Sequence, residues 1–249
     1  MLKIPVFLFL LLLPMVINAQ LFNDFFVDGT CRVDLQFAGN YNETGVSVFK
    51  LKKEPVWGGR RSNLTPGFVE GDFRFQVSDS ASHRLIYADG FNTLFREWQT
   101  TPEARNIYKS FENTVIFPFP AATVRFTVEK RSGYKDWIPV FSGYINPADQ
   151  LIDRSSPPQV PVKVFGKLLP PDIAVDVAII AEGYTAREMK KFYNDAKNLV
   201  DNICSHEPFR KLAGRFNFYA IAAVLLTLVK DKIVEGPILE KFSEIFFND

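Results

Sequence analysis

The sequence IAVDVAIIAEGYT, residues 173–185, decides the fold of the carboxyl-terminal part of the chain. Its first nine residues form a nearly continuous apolar run, which is typical of a strand buried on both faces. Glu182, Gly183 and Tyr184 then indicate a turn, and Thr185 with Glu188 forms a capping box at the start of a helix. This stretch therefore predicts a buried strand that leads directly into a helix.

The residues after Thr185 continue as that helix and then as a second strand. Apolar residues recur at helical spacing at Met189, Phe192, Tyr193, Ala196, Leu199, Val200 and Ile203. Pro208 ends the helical region, and residues 215–224 have the pattern of another strand. A strand, a crossover helix and a strand form a right-handed parallel βαβ unit, which is too small to be a whole domain. We therefore predict that residues 173–224 are the start of an α/β domain.

Upstream of this unit the composition changes. Residues 146–172 contain six prolines and the pair Ser155-Ser156. Proline at this density removes backbone donors and stiffens the chain. We predict a proline-rich linker with at most one edge strand, at residues 160–165.

Residues 20–145 have the pattern of a separate β domain. Short segments of alternating polar and apolar residues occur at 31–37, 45–49, 72–77, 115–117, 123–128 and 137–141. Turn signals such as Gly58-Gly59 and Pro66-Gly67 separate them, and residues 101–106 read as a short helix opened by Pro102. Several short strands at this spacing favour an all-β, sandwich-like domain. The whole chain is thus predicted to be an α+β multidomain protein.

Residues 1–19 have the composition of a cleaved signal peptide. Lys3 precedes an apolar run from Ile4 to Ile17, and Ala19 is a small residue suited to cleavage before Gln20. The run is shorter than the about 20 residues that normally span a bilayer, which makes an uncleaved anchor the weaker alternative. We expect a secreted, periplasmic or cell-surface protein.

Composition excludes several classes of protein. The 249 residues contain 29 Lys and Arg against 28 Asp and Glu, and 47% are hydrophobic. An apolar fraction of this size argues against a disordered chain, and the absence of a basic excess argues against nucleic-acid binding. Residues 216–229 are too few to form a stable membrane span. Cys31 and Cys204 are the two cysteines, and free thiols are the simpler expectation than one long-range disulfide.

No complete catalytic motif is found in the sequence. His206-Glu207 begins an H-E-x-x-H pattern, but Arg210 stands where the second histidine would bind zinc, and Pro208 breaks the helix. Residues 58–61, Gly-Gly-Arg-Arg, could hold an anion, although a basic turn after a buried Trp57 is the simpler interpretation. We therefore predict no catalytic and no metal-binding residues in this chain.

Glu182 and Tyr184 are the candidate binding residues. They follow directly on a strand predicted to be parallel, and open α/β sheets bind ligands at the carboxyl ends of their strands. The alternative is that this segment only forms the turn and the helix cap, with Glu182 in solvent.

Several stretches carry a resemblance to a known family. They are residues 25–40, 57–64, 97–114, 175–185, 192–196, 205–209 and 215–217. Over approximately residues 21–223 the chain resembles the amino-terminal portion of the IgA-peptidase family of secreted zinc metallopeptidases. The resemblance implies a β-rich first domain and a zincin-like peptidase domain, of which this chain carries an incomplete βαβ segment. It also implies a protein or glycoprotein substrate.

The resemblance implies more than this chain contains. Relatives continue past the strand that ends near Val224 into a long catalytic domain, where zinc binds H-E-x-x-H and a further ligand downstream. Residues 225–249 differ from that pattern, and Ile238, Leu239, Phe242, Ile245 and Phe246 form a helical apolar stripe in this divergent tail. We expect a homologue truncated or frameshifted near codon 224, without peptidase activity alone. The alternative is a free-standing secreted β-sandwich module that binds protein or glycan. The sequence does not indicate an oligomeric state.

Overall fold

The computed structural model describes residues 22–133, 136–156, 159–170 and 173–223. The predicted signal peptide, with its cleavage point between Ala19 and Gln20, and the predicted tail at 225–249 lie outside the described residues. In chain order the elements are α1 Phe22–Phe25, β1 Phe26–Gly39, β2 Thr44–Glu54, β3 Phe73–Asp79, β4 Leu85–Phe91, α2 Leu94–Trp98, β5 Lys109–Pro120, β6 Val124–Arg131, β7 Trp137–Ile145, β8 Val162–Phe165, β9 Val175–Ile180, α3 Met189–Ser205, α4 Phe209–Leu212 and β10 Phe216–Ile221. Short 3₁₀ turns occur at Glu103–Arg105, Ala186–Glu188 and Ala213–Arg215.

Two antiparallel sheets form a sandwich from the amino-terminal strands. The first sheet has the order β2-β1-β5, and the second has the order β4-β3-β6-β7. Alternate side chains of each sheet point inward and form one apolar core, as the period of two predicts. Phe37 and Phe73 meet across the sheets with ring centroids 4.9 Å apart, and Phe75 lies 6.1 Å from Phe117. The predicted sandwich-like domain is confirmed.

Strand β4 is absent from the sequence prediction because its own residues resemble a turn. Asp89-Gly90 is a strong turn signal, yet both residues lie inside β4. A Cβ atom on Gly90 would lie 1.7 Å from the backbone oxygen of Glu70. Gly90 therefore allows the backbone at Glu70 to approach β4 closely, and it does not reverse the chain.

The third sheet contains the predicted βαβ unit. Strand β9 pairs with β10 in parallel, from Val175 opposite Phe216 to Ile180 opposite Ile221, and α3 connects the two strands. Strand β8 pairs antiparallel with β10 on its other side, which gives the order β8-β10-β9. The parallel βαβ unit and the edge strand within residues 160–165 are both confirmed.

One expectation about this sheet is wrong. Strand β9 is not buried on both faces, since Val175 is 56% exposed and Asp176 and Ala178 are exposed as well. Within the described residues β9 is an edge strand, and α3 covers only one face of the sheet. A continuous apolar run indicates that both faces could be buried, but neighbouring elements decide whether they are.

Both cysteines are free, as expected from the sequence. Cys31 is buried in the sandwich, and burial raises the pKa of its thiol to about 12. Cys204 is half-buried near the end of α3. The thiolate is the reactive form of cysteine, so a buried thiol with a raised pKa reacts slowly.

We therefore expect iodoacetamide at pH 8 to label Cys204 in the native protein and to leave Cys31 unlabelled. Peptide mass spectrometry after a short incubation measures both sites, and the same reaction in denaturant is the control in which both should be labelled. Rapid native labelling of Cys31 would contradict its buried position in β1.

Candidate functional site

The candidate site predicted at Glu182 and Tyr184 lies at the carboxyl edge of the third sheet. The Ala181 amide donates to the carbonyl oxygen of Ile221 at 3.1 Å, so this segment follows directly on the parallel pair β9 and β10. Gly183 adopts φ +81°, which favours glycine and sets the turn toward α3. The structure thus brings both predicted residues to the end of the sheet where α/β proteins bind ligands.

Tyr184 is held against α3. Its hydroxyl donates to Asp195 Oδ2 at 2.8 Å, and Lys191 Nζ donates to the same oxygen at 2.6 Å. The Tyr184 ring lies 5.3 Å from the ring of Phe192. These contacts are sufficient to explain why tyrosine occupies this position, because they fix the turn to the helix that follows it.

The three polar groups at this turn influence one another's protonation. The hydrogen bond to Asp195 raises the pKa of Tyr184, and it opposes ionisation because the phenolate would face a carboxylate. The hydrogen bond from Lys191 lowers the pKa of Asp195. At neutral pH the cluster is therefore a neutral phenol, a carboxylate and an ammonium, which suits a structural link and offers no base with a pKa near 7.

Glu182 differs from Tyr184 in its surroundings. It is exposed, and among the described residues its carboxylate makes no hydrogen bond or ion pair. The capping box two residues later is present, since Glu188 accepts from the Thr185 amide at 3.0 Å and from its hydroxyl at 2.7 Å. A ligand-binding role for Glu182 and Tyr184 stays a prediction.

The two histidines occupy unrelated positions. His206 Nδ1 lies 2.8 Å from the carbonyl oxygen of Asn202 and 3.0 Å from Ser205 Oγ at the end of α3. Glu207 pairs with Arg210 at 2.6 Å, which places a guanidinium group beside the carboxylate. His83 lies in the β3–β4 turn, in the sandwich. Across 22–133, 136–156, 159–170 and 173–223 no three His, Cys, Asp or Glu side chains are grouped to hold a metal ion.

Residues 57–64, which contain the two candidate anion-binding arginines, close one end of the sandwich. Trp57 is buried, and its indole Nε1 donates to the Arg60 carbonyl oxygen at 3.0 Å. Arg60 pairs with Asp89 at 3.1 Å, and Arg61 pairs with Asp28 at 2.9 Å. Both guanidinium groups already face carboxylates, so this segment is a basic turn after a buried tryptophan and not an open anion site.

Two open clefts were not predicted from the sequence. One, of about 630 Å³, lies beside α2 and is lined by Asp72, Arg96, Glu97 and Glu112 among others. The second, of about 520 Å³, lies between α3 and the third sheet, with Phe165, Val200, Cys204 and Phe218 in its wall. The lining residues come from segments far apart in the chain, so no local motif indicates either cleft.

No helix among the described residues is long and apolar enough to cross a membrane.

Two family models match the chain and together span most of it. The model described as Peptidase M64 N-terminus matches residues 21–142, and the model described as IgA Peptidase M64 matches residues 166–232. The first match covers the sandwich as far as β7, and the second covers β9, α3 and β10. The second match also continues nine residues past Ala223, beyond the point at which the sequence analysis placed the departure from the family. No match to a curated protein was found.

Proposed function

The chain belongs to the M64 family of peptidases, and from this premise we propose that it supplies the amino-terminal β-sandwich and the opening βαβ unit of a secreted zinc peptidase and has no peptidase activity alone. The observation that carries the proposal is the sequence around His206. Arg210 stands where the second histidine of H-E-x-x-H would be, and the one other histidine, His83, lies in the sandwich.

The donor groups around His206 do not fit a catalytic zinc ion. Such a site normally takes three protein ligands with a fourth position open for water. The Glu207 carboxylate is engaged by Arg210, and the His206 ring contacts a helix carbonyl oxygen at 2.8 Å. The family is one of metallopeptidases, so zinc would bind residues that His206 and its neighbours do not supply.

Family membership also indicates the class of partner. A peptidase acts on peptide bonds, so the substrate of the family is a protein. We propose that this chain is exported through residues 1–19 and meets its protein partner outside the cytoplasm. Amino-terminal sequencing of the exported protein should then begin at Gln20, and an intact Met1 would contradict export with cleavage.

We expect the purified chain to show no chelator-sensitive proteolysis. Casein and immunoglobulin A are incubated with the chain and added Zn²⁺, with and without EDTA, and the fragments are followed by gel electrophoresis. Cleavage that disappears with EDTA and persists after further purification would overturn the proposal. If such cleavage were seen, His206→Ala would show whether this histidine takes part.

A second candidate function is glycan binding by the outer face of the second sheet. This outer face, which we define as Arg74, Arg125, Arg131, Trp137 and Tyr144, presents two aromatic rings and a basic excess. The Tyr144 side chain is 68% exposed, and the Arg74 and Arg131 guanidinium groups lie 4.6 and 4.2 Å from the Trp137 ring. Aromatic rings with polar neighbours suit amphipathic ligands. Arg74 is paired with Glu129 on the same face, so Arg125 and Arg131 are the arginines that favour an anionic ligand.

If this face binds glycans, Tyr144→Ala should weaken retention on an immobilised sulfated glycan by about tenfold, equivalent to about 1.4 kcal/mol. Tyr108→Ala is the matched control, since Tyr108 is 61% exposed elsewhere in the sandwich. Equal behaviour of both variants, or retention of a protein ligand only, would count against the glycan.

A further inference from the structure

The edge strands of the sandwich differ in how well they are covered. The edge of β2 is bonded to the proline-rich segment, where Asp153 accepts from the Lys53 amide at 2.8 Å and donates its own amide to the Leu51 carbonyl oxygen at 2.9 Å. The edge of β4 is bonded to the segment before β3, since the Ala88 amide donates to the Leu64 carbonyl oxygen at 2.9 Å. Other parts of the chain therefore satisfy backbone groups on both of these edges.

Strand β5 has an open edge. It is the last strand of the first sheet and pairs with β1 on one side only. Among the described residues, no other segment pairs its backbone with residues 109–117. This run contains no proline, whereas Pro139 interrupts β7, the remaining edge strand of the sandwich. Strand β5 therefore presents alternate N–H and C=O groups that a further strand could bond.

The cleft of about 630 Å³ beside α2 runs along this edge. Its lining includes three consecutive residues of β5, 112–114. Asn113 lies opposite inward-facing Leu35 of β1, whereas Thr114 lies opposite Asp34 on the outward side. A cleft that touches both faces of a strand within three residues lies at the edge of that strand. Helix α2 forms the opposite wall.

The charged groups around the cleft have a negative excess. Asp72, Glu97 and Glu112 line it together with Arg96. Burial and the nearby Arg96 guanidinium group lower the pKa of Lys130, and the nearby Asp72 carboxylate opposes this shift, so Asp72 lies close to a cation. Glu97 on α2 and Glu112 on β5 are exposed, and neither carboxylate has a hydrogen bond or ion pair within the part of the chain that the structure describes. The two opposite walls therefore favour a positively charged group between them.

We propose that an extended polypeptide segment carrying lysine or arginine binds in this cleft as an added strand on β5. Its backbone continues the first sheet at the usual strand spacing of about 4.8 Å, and its basic side chain lies between Glu97 and Glu112. A polypeptide is favoured over a glycan or a lipid because an extended backbone repeats donors and acceptors at the spacing of the strand edge. Binding of this kind breaks no bond, so it is independent of whether the chain has peptidase activity.

Fluorescence anisotropy of the full chain with a labelled peptide tests the proposal. The probe is a peptide of about eight residues, long enough for a strand, in which threonine and valine alternate and two positions are lysine. The same peptide with two glutamates is the control. We expect the lysine peptide to bind at least about threefold more tightly, because the reversed charge replaces attraction to the cleft by repulsion.

Methylation of the peptide backbone tests strand pairing directly. In one form of the lysine peptide all odd-numbered amides carry N-methyl groups, and in a second form all even-numbered amides do. One form should bind at least about tenfold more weakly and the other should keep its affinity, because an added strand bonds through one of its edges. Equal binding of the two forms, or no binding of the lysine peptide, would overturn the proposal.

Charge exchange in the protein locates the site. Glu112→Lys should weaken binding of the lysine peptide at least about threefold and strengthen binding of the glutamate peptide. Asp24→Lys makes the same charge change at an exposed carboxylate in α1, before the far end of β1, and should alter neither affinity. Unchanged affinities in Glu112→Lys would place the peptides elsewhere.

Sedimentation velocity distinguishes a peptide partner from a second copy of the chain. We expect a monomer at the concentrations used for anisotropy, with and without Glu112→Lys. A dimer that Glu112→Lys dissociates would assign the edge of β5 to a second copy and would overturn the proposal.

Discussion

Phe126→Ala is expected to lower the free energy of unfolding of the sandwich by about 3–5 kcal/mol. Phe126 projects inward from β6 and is fully buried. Its ring lies 5.8 Å from Phe75, 6.0 Å from Phe117 and 6.3 Å from Phe141, so it joins both sheets. Truncation removes the apolar burial and leaves a cavity that rigid neighbouring strands fill only in part.

Urea unfolding followed by tryptophan fluorescence measures this loss. Phe49→Ala is the matched control, because Phe49 lies in β2 with 65% of its surface exposed, and its replacement should cost less than about 0.5 kcal/mol. The total stability of a domain of this size is about 5–15 kcal/mol, so the core variant should lose a large share of its free energy of unfolding and unfold at a clearly lower urea concentration. Similar midpoints for the two variants would show that the ring cluster does not hold the sheets together.

Asp34→Ala is expected to lower the free energy of unfolding of the sandwich by about 3 kcal/mol. Asp34 and Arg32 are neighbours on the outward side of β1, with only 11% and 9% of their side chains exposed, and Arg32 Nε donates to Asp34 Oδ1 at 2.8 Å. The Thr114 hydroxyl donates to the same oxygen at 2.8 Å. Removing the carboxylate takes from a nearly buried guanidinium group its partner on the same strand, which is more costly than losing a surface pair.

Asp201→Ala provides the comparison for the same chemical change. Asp201 pairs with Lys197 at 2.5 Å on α3, but both side chains are about 60% exposed, so the pair should be worth no more than about 0.5 kcal/mol. Urea unfolding monitored by circular dichroism at pH 7 gives both values. Equal effects of the two substitutions would mean that water reaches the Arg32 guanidinium group and replaces the lost carboxylate.

Much of the fold could be predicted because its signals are local. Alternation in residues 31–37 places Val33, Leu35 and Phe37 inside the sandwich, where all three are buried. The capping box at Thr185 and the stripe through Phe192 locate the start and the inner face of α3. Each of these signals depends on residues within one turn or one strand, which a single sequence contains in full.

The features of the fold that the sequence does not predict depend on contacts between distant segments. Leu94–Trp98 is a five-residue helix that the sequence analysis does not predict, and its Phe95 and Trp98 rings pack on Phe111 of β5, with centroids 6.0 and 5.5 Å apart. Asp89-Gly90 reads as a turn until the approach of Glu70 is known. Arg32 and Asp34 are polar residues on the outward side of a strand, and only the flanking strands β2 and β5 show that they are buried.

The candidate site also combines features that the sequence predicts with contacts that only the structure shows. The sequence places Glu182 and Tyr184 at a strand end because both the strand and the helix cap are local features. It does not reveal that Asp195, eleven residues later, accepts the Tyr184 hydrogen bond. It also does not show that Arg60 and Arg61 pair with Asp89 and Asp28, which removes them as an anion site.

The sequence by itself determined the two-part architecture, the parallel βαβ unit, the family and the absence of an H-E-x-x-H motif. These follow from periodicity and from residue types at fixed spacing. Only the tertiary structure decided that β9 is an edge strand within the described residues, that α3 packs on one face of the third sheet, and that Tyr184 contacts α3. The physical reason is that burial and charge pairing are properties of neighbours in space, which an apolar run permits but does not specify.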